Sequence, residues 1–178
     1  MFLICRGIAQ ACTRGQPVSF PTESDAARGK GMMPVFWFIL LAVIFHVIMR
    51  YTLYGKHTYA IGSNEDAARM SGINVQRHKV RVYMIASMLA AFAAVILSSK
   101  NLTAQSGMGT FYELYAIAMA VIGGVSLTGG RGSIIGTVLG AMVFGVIQSG
   151  FTYIKPDAFY QLMAIGAIII RSEERRVG

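Results

Sequence analysis

Charge-free apolar runs alternating with basic connections constrain this chain more than anything else in it. Met33–Met49 and Val82–Ser98, about 17 residues each, and Gly132–Ile154, about 23, contain no Asp, Glu, Lys or Arg. An α-helix rises about 1.5 Å per residue, so about 20 apolar residues cross a hydrocarbon core and the longest run does so with tilt. Leu114–Leu127 and Ala158–Ile170 are apolar but shorter, about 14 and 13 residues. Of the 178 residues, 54% are hydrophobic and 13% charged, against about 25% charged in soluble domains. A soluble domain of this size needs a polar exterior that such a composition cannot supply. The expected fold is all-α, a polytopic helical membrane protein with about five transmembrane helices, treated as a single domain over residues 1–178.

The formal net charge of +8 does not point to nucleic acid, because Lys and Arg lie in the connections and flank the spans. Contact with acidic membrane lipids is a natural consequence. Between Arg50 and Arg81 six cations (Arg50, Lys56, Arg69, Arg77, Lys79, Arg81) face only Glu65 and Asp66. Short loops rich in Lys and Arg stay on the cytoplasmic side. Residues 100–113 carry one charge of each sign and are assigned to the outer side. Charge and connectivity then give five crossings that start outside and end inside.

The 50–81 loop holds a local helix signal. Ser63-Asn64 before Glu65-Asp66 reads as a start, with acids at the positive end of the helix dipole. Ala67, Ala68, Arg69 and Met70 favour helix, and Gly72, after Ser71, stops it. A short helix between two spans is suited to docking on another protein, although charge bias alone equally describes a solvated loop.

Two longer motifs weigh between these readings: Tyr54-Gly-Lys-His-Thr-Tyr-Ala-Ile-Gly-Ser-Asn-Glu-Asp-Ala-Ala-Arg-Met-Ser-Gly-Ile-Asn-Val75, and Ile122-Gly-Gly-Val-Ser-Leu-Thr-Gly-Gly-Arg-Gly-Ser133 after Tyr112-Glu-Leu. In this order they resemble the permease subunits of bacterial sugar ABC importers of the ribose/xylose/galactose type, and the likeness covers most of the chain. The resemblance implies a translocation subunit that works by alternating access and is not itself an enzyme. It implies a separate ABC ATPase contacted through residues 55–79, with Asn64, Glu65, Ala67, Ala68, Arg69, Ser71 and Gly72 as the coupling residues. A periplasmic or extracellular sugar-binding protein, a second permease copy or homologue, and the bacterial cytoplasmic (inner) membrane are implied as well. In the family the Tyr-Glu-Leu motif is followed by Asp-Ala-Ile-Ala. Here Tyr115 stands at the Asp position, so the carboxylate that the family carries there is missing while the resemblance as a whole stands.

Gly129-Gly-Arg131-Gly-Ser133 invites a phosphate-loop reading and fails it. A Walker A loop needs Lys and then Ser or Thr after its last glycine, and the spacing of a dinucleotide fingerprint is exceeded by one residue. Gly123, Gly124, Gly129, Gly130 and Gly132 are read as turn and packing residues. Gly132, Gly136 and Gly140 recur every fourth residue, forming one stripe for close helix crossing. No catalytic or metal-spaced cluster occurs, and no cofactor is expected in this chain. Two ionisable residues are candidates for the translocation path. For His46, within the first span, the preferred alternative is a neutral ring near the cytoplasmic end bonded to a neighbouring helix. For Glu113 it is an interfacial acid at a helix start. Cys5 and Cys12 are read as inert packing residues. A secondary transporter or channel-like protein without an ATPase is the rival function, but no coupling carboxylate is visible in mid-span.

The ends carry a further expectation. Residues 1–15 read as the end of a helix and resemble a mid-chain passage of the family. The basic N-terminal segment lacks an export signal although it is assigned outside. The last apolar run gives way early to Arg171-Ser-Glu-Glu-Arg-Arg-Val-Gly178, a tail unlike the family's. The chain is therefore expected to be the C-terminal part of a longer permease, with a doubtful non-native 171–178 tail.

Overall fold

A computed structural model describes residues 2–19, 31–105 and 107–154, together with 163 and 166. The described elements, in order, are α1 (Phe2–Thr13), β1 (Val18–Ser19), α2 (Met33–Tyr51), α3 (Leu53–Ser63), α4 (Glu65–Met70), α5 (Val75–Asn101), β2 (Thr103–Ala104), α6 (Tyr112–Ile122) and α7 (Ile134–Ile154). The architecture is all-α and polytopic, with a single two-residue strand pair among the described residues.

Among the described residues three helices are long and apolar enough to cross a membrane: Met33–Tyr51, Val75–Asn101 and, within α7, Ile134–Phe151, with mean hydropathies of 2.1, 2.1 and 1.8. None of the apolar window of α2 or α5 is buried in the protein. Phe38, Ile39, Val43, Met84 and Met88 are all exposed along them. So much exposed apolar side-chain surface is compatible with a bilayer or neighbouring helices around it, not with water.

The long elements differ from the sequence expectation at their polar ends. The second crossing helix starts at Val75 and not near Val82, because the basic stretch from Gln76 to Arg81 is helical too. The Asn74 side-chain oxygen caps it by accepting from Arg77 N at 3.1 Å. Apolar runs mark what lies in lipid, whereas the helix continues through residues that favour it without being apolar. The 50–81 loop is itself mostly helical. One residue, Thr52, separates α2 from α3; its hydroxyl donates to Ile48 O (2.6 Å) and accepts from Gly55 N (3.4 Å). Gly55 is buried there, and a Cβ on it would lie 2.6 Å from Met49 Cα, so only glycine permits the reversal.

The third apolar run is also shorter as a helix than its sequence. α6 has 11 residues, about 16 Å or half a hydrocarbon core. Gly124 N–H donates to Val121 O, and Val125 N–H to Ala120 O. With Gly124 at φ +96°, these bonds form a Schellman cap. Among the described residues three helices are therefore long enough to cross, against five crossings expected, and α6 is too short to cross alone. The fifth run, Ala158–Ile170, apart from residues 163 and 166, and the 171–178 tail lie outside the residues described.

Two compact units are distinguished, Met1–Leu40 with Val80–Thr110 and Leu41–Lys79 with Phe111–Gly178. In the first, β1 and β2 pair antiparallel, Val18 opposite Ala104 and Ser19 opposite Thr103. Trp37 packs edge-on to Phe92 at 5.4 Å between ring centroids. Cys5 and Cys12 are free and exposed on α1, not packed as expected. In the second, Ala118 (0% exposed) and Phe144 (2%) form the centre of the α6–α7 contact, with Tyr115, Met119 and Ile122 around them.

Candidate functional site

Local chemistry defines α4 at both ends. The Asn64 side-chain oxygen accepts from Ala67 N at 3.0 Å, satisfying one of the orphan N–H groups of the first turn. Glu65 and Asp66 occupy that turn, and Arg69 the last. At the other end Gly72, at φ +84°, donates to Arg69 O while Ile73 N–H reaches Ala68 O, a second Schellman cap. Ser71 Oγ donates back to Ala67 O at 2.9 Å. Asn64 also closes α3, donating its N–H to Ala60 O at 3.1 Å. One residue therefore ends α3 and starts α4.

Beneath α4 the packing is specific. Ala68 is only 4% exposed and Val75 3%. His78, 6% exposed, places Nε2 2.9 Å from the Thr58 hydroxyl and lies tilted against the Tyr54 ring at 4.8 Å. These contacts hold the first turn of α5 against α3. Glu65 ties α4 to α5 through Lys79 Nζ, 2.5 Å from Oε2, and pairs within α4 with Arg69, 3.3 Å from Oε1. The Lys79 hydrogen bond, reinforced by the charges of Lys79 and Arg69, holds the Glu65 carboxyl below the usual carboxylate range.

The outward face is different in character. Met70 is 90% exposed at the tip of α4, and Ala67 and Arg69 are exposed beside it. Next to it Arg69, Gly72, Ile73, Asn74, Val75 and Gln76 line an open cleft of about 440 Å³. A rigid helix with an apolar tip, a cation and an adjoining cleft can seat against a partner. It offers no grouping for bond chemistry. Among the described residues no group of three His, Cys, Asp or Glu is placed to hold a metal.

The glycines gather in a second place. Gly136 and Gly140 face the end of α6: a Cβ on Gly140 would lie 2.6 Å from Gly123 N, and one on Gly123 2.7 Å from Thr137 Cα. Gly132 meets the Val125 side chain instead. Ser133 starts α7, its hydroxyl accepting from Gly136 N at 3.0 Å. The connecting turn is braced by Ser126 N–H to Arg131 O at 2.9 Å, with Gly129 and Gly130 at φ +91° and +73° and Arg131 exposed. This turn also touches α3. Tyr59 donates its hydroxyl to Gly132 O at 3.0 Å. A Cβ on Gly62 would lie 2.5 Å from Gly130 N.

His46 is half-buried near the end of α2, and Glu113 is exposed in the first turn of α6. The structure draws neither into the α4 group. Sequence reasoning missed Tyr59, Gly62, Asn74, His78 and the exposed tip at Met70. For Asn74 a signal existed, an Asn directly before a helix-compatible run. For Tyr59 and Gly62 none did, since their partners lie about 70 residues away.

Residues 4–172 match the model of the family described as branched-chain amino acid transport system / permease component. The chain is 39% identical over 174 residues to the ribose import permease protein of Bacillus subtilis (strain 168), covering 94% of this chain and 54% of that protein. It is 35% identical over 181 residues to the ribose import permease protein of Escherichia coli (strain K12), covering 96% and 56%. With the galactose/methyl galactoside import permease protein of Haemophilus influenzae (strain ATCC 51907 / DSM 11121 / KW20 / Rd) it shares 37% identity over 165 residues, covering 88% and 49%. The chain thus spans about half the length of these curated relatives. No solved structure matches it.

Proposed function

The chain belongs to the branched-chain amino acid transport system / permease component family, and on that premise we propose that it forms part of the membrane-spanning subunit of an ATP-driven monosaccharide importer. Sugar as the cargo rests on the relatives, which are named for ribose and galactose import. ATP is hydrolysed in a separate ATPase subunit, and α4 is the element that docks on it from the cytoplasmic side. The observation that carries this reading is α4 itself. It is capped at both ends, pinned by Glu65 to α5, and presents Met70 outward at 90% exposure.

A six-residue helix has no stability of its own in water, so fixing one in a basic connection between spans gives it the rigidity that force transmission needs. Alternating access follows when movement of the ATPases displaces α4 and the helices joined to it. A sugar-binding protein delivers cargo at the outer face, and a second permease copy or homologue completes the path in the bacterial inner membrane. The assembled importer tests this. Met70→Asp places an unpaired charge at the proposed contact, so the permease should reach the membrane in normal amount while co-purification of the ATPase and sugar uptake both fall at least tenfold. Unchanged co-purification and uptake would refute the docking role.

A further inference from the structure

The α6–α7 pair is tied to α3 by a contact that backbone atoms make almost alone. A Cβ on Gly129 would lie 2.6 Å from Gly62 O, and one on Gly130 2.8 Å from Ser63 Cα. Such separations leave no room for a side chain at Gly62, Gly129 or Gly130, so the last turn of α3, with the Ser63 hydroxyl beside Gly130, rests directly on the 129–130 backbone. Tyr59, one turn earlier, adds the hydrogen bond to Gly132 O at 3.0 Å. Contact and bond together fix both the distance and the rotation of the turn relative to α3.

Each end of this contact is stiff. On one side α3 shares Asn64 with α4, and Thr58 meets His78 at 2.9 Å, so α3 moves with the docking helix. On the other, Ser133 caps α7 directly after Gly132, while Gly136 and Gly140 lock α7 onto the end of α6 through backbone contact. Close-packed backbone contacts have little compliance, since tight interiors transmit displacement and do not absorb it.

We propose that the Tyr59–Gly132 hydrogen bond and the Gly62–Gly129/Gly130 contact are a transmission joint that carries displacement of α4 through α3 into the α6–α7 pair, making that pair a driven element of the transport cycle. This rests on the docking role given to α4 above. Tyr59 is on this account a positioning residue, acting through the turn and not on the cargo. A joint differs from ordinary packing in what its loss does: hydrolysis continues while movement is no longer delivered.

The test uses the intact importer in proteoliposomes, reading ATPase co-purification, ATP hydrolysis, sugar uptake and thermal stability together. Tyr59→Phe keeps the ring and removes only the hydroxyl. Gly130→Ala places a Cβ at a left-handed position against Ser63 and should act more strongly. Expected is normal co-purification and hydrolysis with sugar moved per ATP reduced about threefold or more in Tyr59→Phe, at unchanged stability. Should Gly130→Ala fail to fold, Tyr59→Phe decides alone. Uptake per ATP equal to the parent in Tyr59→Phe would overturn the joint while leaving docking intact. Absence of any ATPase with the parent protein would overturn the docking role and the joint with it.

Discussion

Replacing Gly140 by Ala puts one methyl group where α7 meets α6. The added Cβ would lie 2.6 Å from Gly123 N and 2.8 Å from Gly123 Cα, with Met119 O closer still. Ordinary contact begins near 3.4 Å, so to clear Met119 O α6 and α7 must part by roughly 1.2 Å, and a gap of that size forfeits about half or more of each dispersion contact across it. Overpacking of this kind costs about 1–3 kcal/mol. Opposing it, Ala is the better helix former by up to about 1 kcal/mol. The net expectation is a loss of about 1–2 kcal/mol. Gly145, in the same helix, has nothing within 4 Å of its Cβ position, so Gly145→Ala retains only the favourable part and should leave stability unchanged or raise it. Reversible unfolding of the permease in mixed detergent micelles measures both. Equal effects for the two substitutions would refute the claim that the stripe sustains the α6–α7 crossing.

Two other predictions concern α4. Asn64→Ala removes the side-chain acceptor for Ala67 N and should cost about 1 kcal/mol locally, read as roughly fivefold faster amide exchange in α4. The Glu65 carboxyl titrates below its ordinary value because of Lys79 and Arg69. Its contribution is therefore fully present above the ordinary carboxylate range and is lost as pH falls through the lowered folded value. Exchange protection of α4 should decline as pH drops below about 4, and Glu65→Gln should abolish that dependence.

How much could be read beforehand follows from the distance over which each feature is determined. The bounds of α4 were legible because Asn64 and Gly72 act within four residues of themselves. Gly132, Gly136 and Gly140 were legible as a spacing, but only Gly136 and Gly140 meet the end of α6, whereas Gly132 lies before α7 against Val125. In contrast α3 was not legible. Gly55 and Gly62 disfavour helix by intrinsic propensity, yet each stands where another backbone lies against it, Met49 in one case and Gly130 in the other. Val75 as the start of α5 was hidden because Gln76, Arg77, His78 and Lys79 are polar, and apolarity was the criterion for a span. The strand pair left no signal, as two residues on each side cannot show a period of two. The short length of α6 was implicit in Gly123-Gly124, which stops a helix that the apolar run continues past.

The central claim is that α4 meets a separate ATPase through its exposed tip. A photo-crosslinking amino acid at position 70, in place of the 90% exposed Met70, tests it in intact membranes. The account predicts a crosslink to an ABC ATPase subunit, with none from the same probe at position 146, where Val146 is 73% exposed on α7. Crosslinks from position 70 to lipid alone, or to the ATPase equally from both positions, would contradict it.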